Sequence, residues 1–160
     1  MIIDNYPLAS IKDIGTSFTS PWKKKLFKWL GQDSYLDYLE HEQVRKNYKE
    51  PRIHFALVCA SISCPSLSPK VFLPESLDKQ LEVASIQFLT DKEKNRITST
   101  NPLKLEISSI FDWYGTDFKN LNQFIGERIT TDRAISSQIN QGKFDKKFLD
   151  YNWGLNDSKE

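Results

Sequence analysis

The side chains able to make or break bonds fall into two short stretches, Glu40-His41 and His54 to Cys64. A cysteine thiolate is a nucleophile, and a histidine in reach can take the thiol proton. Cys64 is the candidate nucleophile, because it sits among Ser61, Ser63 and Ser66 and is followed by Pro65. His54 and His41 are the candidate bases, and Glu40 is a candidate site carboxylate. Arg52 is the candidate for binding an anionic group, with Ser61 and Ser63 as further substrate-binding residues. Cys59 reads differently. It is an inward position on an expected strand, where cysteine behaves as a small hydrophobe.

Several other chemistries are poor fits. A zinc site takes about four ligands, and the spacing of Cys59, Cys64, His41 and His54 matches no standard finger. No metal and no cofactor are expected. The sequence has no Gly-rich phosphate loop, no His-Glu-x-x-His and no Gly-x-Ser-x-Gly. Glycosidase-type paired carboxylates would need a partner for Glu40; Asp112 and Asp117 are available, but nothing in the sequence ties them to it. Two cysteines are too few for a disulfide scaffold. A Cys59–Cys64 disulfide would close a short loop, in an oxidising compartment.

Charge and size set further bounds. Lys plus Arg is 22 and Asp plus Glu is 21, a net charge of +1. No nucleic acid is expected as a partner, since no global basic excess would hold one. A hydrophobic content of 39% with 12% aromatics suffices for a core, and 160 residues suit one domain. The longest apolar run, Phe55–Ala60, falls far short of the roughly 20 residues of a membrane span.

The elements that would position these residues are legible as patterns. Alternation over Arg52–Ala60 predicts a strand, apolar on both faces from Phe55 and therefore central. An extended chain from His54 to Ala60 covers about 20 Å, of which residues 61–64 can return roughly 14 Å. A Cys64–His54 hydrogen bond would then need the strand to end early or bulge. His41 carries no such restriction. Ser20-Pro21 opens an expected helix to Leu30, with Trp22, Leu26, Trp29 and Leu30 on one face and lysines over the rest. A second helix is expected over Leu36–Lys46, with Glu40 on its apolar face and His41 at the edge.

Leu77, Leu81, Ala84 and Phe88 predict a long helix from Pro74 to about Leu89. Arg96–Ser99 and Leu103–Ile107 predict two strands joined at Thr100-Asn101-Pro102. Short helices are expected at Ser109–Tyr114, Leu121–Arg128 and Asp132–Asn140, then a loosely strand-like aromatic tail over Lys143–Leu155. The class is α+β: several helices around a small sheet whose buried central strand lies at about 52–60.

The segment Pro51-Arg52-Ile53-His54-Phe55-Ala56-Leu57-Val58-Cys59-Ala60-Ser61-Ile62-Ser63-Cys64-Pro65-Ser66-Leu67 resembles the signature of domain-of-unknown-function family 547. Ser10–Gly15, Leu39-Glu40-His41, Leu77–Leu81, Ile110–Gly115 and Tyr151–Asn156 resemble further blocks of the family, in its order. The resemblance covers about residues 3 to 156 as a single domain, with 157–160 as a frayed tail. Family members usually carry a further segment upstream, so the resemblance implies a chain that begins part-way into the domain. Met1-Ile2-Ile3-Asp4 is not a signal peptide. The chain as written is therefore expected in the cytoplasm, or exported if a leader precedes Met1.

Two functions are expected. The first is a cofactor-independent hydrolase or group-transfer enzyme whose Cys64, His54, His41 and Glu40 form a cleft for a small molecule or peptide. The second is a non-catalytic module that contacts a protein or a membrane surface through the basic aromatic helix 21–30. The sequence leaves the oligomeric state open.

Overall fold

The computed structural model describes residues 27–29, 31–35 and 37–156. The chain divides into two compact units. The first comprises Met1–Lys49, Cys59–Cys64 and Asn152–Glu160, and the second Glu50–Val58 and Pro65–Tyr151.

In the first unit, β1 (Phe27–Trp29) and β2 (Gln32–Ser34) form an antiparallel hairpin with Lys28 opposite Asp33. Gly31 turns the chain at φ +84°, a conformation glycine adopts without a Cβ clash. The helix expected over 21–30 is corrected at Phe27–Trp29. Phe27–Trp29 is a strand, because aromatic residues suit strands and Gly31 returns the chain at once into a paired partner. Pro21–Leu26 and Leu30 lie outside the described residues. The helix expected over Leu36–Lys46 is found as a wide π-helical run, Tyr38–Arg45, continuing into α1 (Lys46–Tyr48). Lys49, at φ +49°, ends it.

The second unit opens with a 3-10 turn, Pro51–Phe55. A further 3-10 turn at Pro74–Ser76 leads into α2 (Leu77–Thr90). Then follow β3 (Arg96–Thr100), β4 (Leu103–Ser108), α3 (Ile110–Trp113), a 3-10 turn at Gly115–Asp117, α4 (Leu121–Ile129), α5 (Arg133–Asn140) and β5 (Asp145–Leu149). The sheet order is β3-β4-β5, with β4 antiparallel to β3 and parallel to β5. On β4, Leu103, Leu105 and Ile107 face the core while Lys104 is exposed. Phe88 and Leu89 of α2, Ile110 and Phe111 of α3, Ile125 of α4 and Ile139 of α5 complete that core with Phe55 and Phe118. Buried Asn95 is satisfied: its Nδ2 donates to Phe88 O, and its Oδ1 accepts from Ser108 N–H.

The chain is α+β, as its pattern predicts, but the central strand is not at 52–60. Pro51 supplies a fixed φ at the first turn, and the Glu50 carboxylate accepts the Arg52 N–H. Ile53, His54 and Phe55 are all buried in succession. Successive side chains of such a turn point about 120° apart, so the burial of all three means that the turn is covered on every side. The amides of Ala56 and Leu57 both donate to Ile53 O, so they make no ladder. The central position belongs to β4.

Candidate functional site

The chemistry-bearing residues gather in two places, one in each unit. In the first unit, Cys59 to Cys64 form a tight loop. Ala60 takes the left-handed conformation, φ +59°. Across the loop the Cys59 backbone N–H donates to Cys64 Sγ at 2.9 Å, and the Cys64 N–H donates to Ser61 O at 3.0 Å. The two sulfurs are 3.3 Å apart, and Ser61 Oγ is 3.3 Å from Cys59 Sγ. Cys64 and Ser61 are buried, and Cys59 is half-buried. Hydrogen-bond donation to a sulfur stabilises its thiolate over its thiol.

The C-terminal tail clasps this loop. Ile62 N–H donates to Gly154 O, Ser63 N–H to Asn152 O and Asn156 N–H to Ala60 O. Asn152 N–H donates back to Ser63 Oγ at 2.9 Å, and Ser61 bridges to Leu155. Gly154 is needed for the close approach: a Cβ there would lie 3.1 Å from Ile62 Cδ1 and 3.0 Å from Asn152 Oδ1. Glu40 and His41 stand on the π-helical run of the same unit, where His41 Nε2 lies 3.7 Å from Asp37 Oδ1, one helical turn back.

In the second unit, His54 Nε2 lies 2.9 Å from Asp117 Oδ2. The His54 side chain is 1% exposed. The Tyr114 ring stacks on the imidazole, with centroids 4.0 Å apart and planes 11° from parallel. Tyr114 in turn meets Trp113 edge-on, and Trp113 packs on Tyr151. A carboxylate accepts only, so Asp117 places a proton on Nε2 and fixes both tautomer and ring orientation. The sequence offers Asp117 as one of several available carboxylates, and the signal that it is His54's partner lies in the tertiary packing of two 3-10 turns 63 residues apart.

Arg52 sits at the start of the same unit. Its Nε and Nη2 reach Glu50 Oε1 and Oε2, each at 2.8 Å. Nη2 also lies 2.7 Å from Asp78 Oδ1, and Nη1 lies 3.5 Å from Glu82 Oε2. Glu82 is further paired with Arg128 of α4. Hydrogen bonding to Glu50, against an opposing effect of burial and with a further contribution from Asp78, raises the Arg52 guanidinium pKa. The Arg52 hydrogen bond, against an opposing effect of burial, holds the Glu50 carboxyl below the usual glutamate range. Arg52 thus links the 3-10 turn to α2 and, through Glu82, to α4.

Of the candidate residues, the structure brings Ser61, Ser63 and Cys64 together in the first unit and joins Cys59 to them. His54 and Arg52 belong to the second unit, on opposite sides of Ile53 in the sequence. Among the described residues no group of three His, Cys, Asp or Glu side chains could hold a metal ion. Among the same residues no helix is long and apolar enough to cross a membrane.

No curated protein and no solved structure matches the chain. The family described as Protein of unknown function, DUF547, matches residues 6–89, a span that holds Glu40, His41, Arg52, His54, Cys59 and Cys64, and the chain belongs to that family.

Proposed function

We propose that the chain is a cofactor-independent hydrolase or group-transfer enzyme with Cys64 as its nucleophile. The observation that supports this reading is the Cys59 N–H aimed at Cys64 Sγ at 2.9 Å. A backbone donor held by a rigid loop favours the thiolate without a mobile partner. The thiolate would attack an acyl carbonyl of a small molecule or peptide, forming a thioester and expelling an alcohol or amine that takes a proton from water. Water or a second acceptor would then release the acyl group and restore the thiol. A thiolate beside a second thiol suits a reducing compartment such as the cytoplasm.

A second reading rests on the 2.9 Å His54–Asp117 contact and assigns acid–base chemistry to His54 without a thiol. One experiment decides between them. The full chain is mixed with p-nitrophenyl acetate and the release of nitrophenolate is followed. The thiol reading expects a burst of about one equivalent that Cys64→Ser abolishes and Cys59→Ser keeps, with unchanged circular dichroism. The histidine reading expects hydrolysis that survives Cys64→Ser and drops about 100-fold in Asp117→Asn. Release equal to that of buffer alone would overturn both.

A further inference from the structure

The geometry points to Cys59 and Cys64 as a redox-active dithiol that exchanges with disulfides. Three features of the loop support this. The sulfurs are 3.3 Å apart, so closing to the ~2.05 Å of a disulfide asks for a shift of about 1.3 Å. The two thiols are unequal: Cys59 is half-buried and Cys64 is 4% exposed. Their environments also differ in hydrogen bonding. Cys64 Sγ accepts both the Cys59 N–H and the Cys59 S–H, while Cys59 Sγ meets the Ser61 hydroxyl.

Those differences assign an order of events. The thiolate of Cys59, the more exposed of the two residues, attacks one sulfur of a substrate disulfide R–S–S–R. A Cys59–S–S–R mixed disulfide forms and one RS⁻ leaves. The thiolate of Cys64, favoured by its donors, then attacks Cys59 Sγ and expels the second RS⁻. The chain's two thiols are oxidised to one disulfide, and the substrate is reduced to two thiols. The two protons of Cys59 and Cys64 end on the departing sulfurs. The substrate class is a small or protein-borne disulfide. Clasping of the loop by Asn152, Gly154 and Asn156 keeps the pair pre-positioned, which raises the effective concentration of one sulfur at the other.

This inference shares the Cys64 sulfur with the group-transfer reading but needs no acyl chemistry, and its test contains no acyl donor. The sequence holds two cysteines, so any intramolecular disulfide is this one. The full chain is equilibrated in glutathione buffers of graded oxidised share, quenched in acid, alkylated and weighed by mass spectrometry. The native chain should lose both alkylation sites together without accumulating glutathione adducts. Half-oxidation should come at an oxidised share at least about tenfold lower than in guanidinium, where the fold no longer positions the pair. Cys64→Ser should stop at a single glutathione adduct on Cys59. Cys59→Ser, which has no partner thiol, should stop at a single glutathione adduct on Cys64. Two independent glutathione adducts on the native chain would overturn the inference, as would a native pair no easier to oxidise than the unfolded one. A failed p-nitrophenyl acetate burst with successful oxidation rejects only the group-transfer reading, and the reverse result rejects only this one.

Discussion

Glu50 and Arg52 are two residues apart and share three hydrogen bonds, one of them to the Arg52 backbone N–H. A carboxylate held below its ordinary range contributes stability that is complete above its unfolded pKa, about 4.3. That contribution fades as pH falls through the lower folded value. Glu50→Gln should therefore lower stability at pH 7 by about 1 kcal/mol, a figure moderated because the pair is partly exposed. The deficit should shrink as the pH falls below the ordinary glutamate range, where wild-type Glu50 also loses its charge. Urea unfolding at graded pH reads this directly; a deficit that grows on acidification would contradict it. At this scale the sequence shows that His54 and Cys64 carry reactive groups, from their types alone. It offered Asp117 as an available carboxylate but did not tie it to His54, 63 residues away. It also misjudged Cys59, which an alternating strand would have turned into the core. The left-handed Ala60 instead brings it back onto Cys64.

Local patterns gave elements well wherever a pattern repeats several times. Leu77, Leu81, Ala84 and Phe88 predict a helix, and α2 occupies Leu77–Thr90. Leu103, Leu105 and Ile107 predict a half-exposed strand, and β4 is one. The reading failed at Arg52–Ala60, where alternation is ambiguous because nearly every residue is apolar. There the decision fell to Pro51, the Glu50 cap and the amides of Ala56 and Leu57, which turn back to Ile53 O. It failed also at Phe27–Trp29, too short for helical and strand periods to be told apart.

The α4–α5 pair carries a sharper element-level consequence. Gly126 of α4 lies where a Cβ would come 2.3 Å from Asn140 Oδ1, 3.0 Å from Ser136 O and 3.2 Å from Ile139 Cβ. Asn140 can swing aside, but the Ser136 carbonyl belongs to the backbone of α5. Gly126→Ala should thus destabilise the chain by about 2 kcal/mol, although alanine is the better helix former by about 1 kcal/mol. A thermal melt that shows equal or higher stability would refute this close packing.

On the scale of the whole molecule, the last described residues return to the cysteine loop. Ending the chain at Tyr151 removes every hydrogen bond that Asn152, Gly154 and Asn156 make to residues 60–63. In a Cys59→Ser background, iodoacetamide should then label Cys64 at least about tenfold faster, because opening of the loop no longer breaks those bonds. The amides of β4 should keep their hydrogen-exchange protection, since the core around Leu105, Ile107 and Phe111 lies within the second unit. Unchanged labelling would show that the tail does not hold the loop. What the sequence determined by itself is the α+β class, most helix and strand positions after Pro74, and which residues carry reactive groups. Those follow from periodicity and side-chain chemistry, both of which are local. Only the tertiary structure decided which reactive groups meet: Cys59 with Cys64 through a left-handed turn, His54 with Asp117 through two distant 3-10 turns, and Arg52 with Glu50, Asp78 and Glu82. The reason is physical. Such pairings depend on where the chain turns back and what the core covers, and a run of apolar residues such as Phe55–Ala60 is compatible with more than one answer to both.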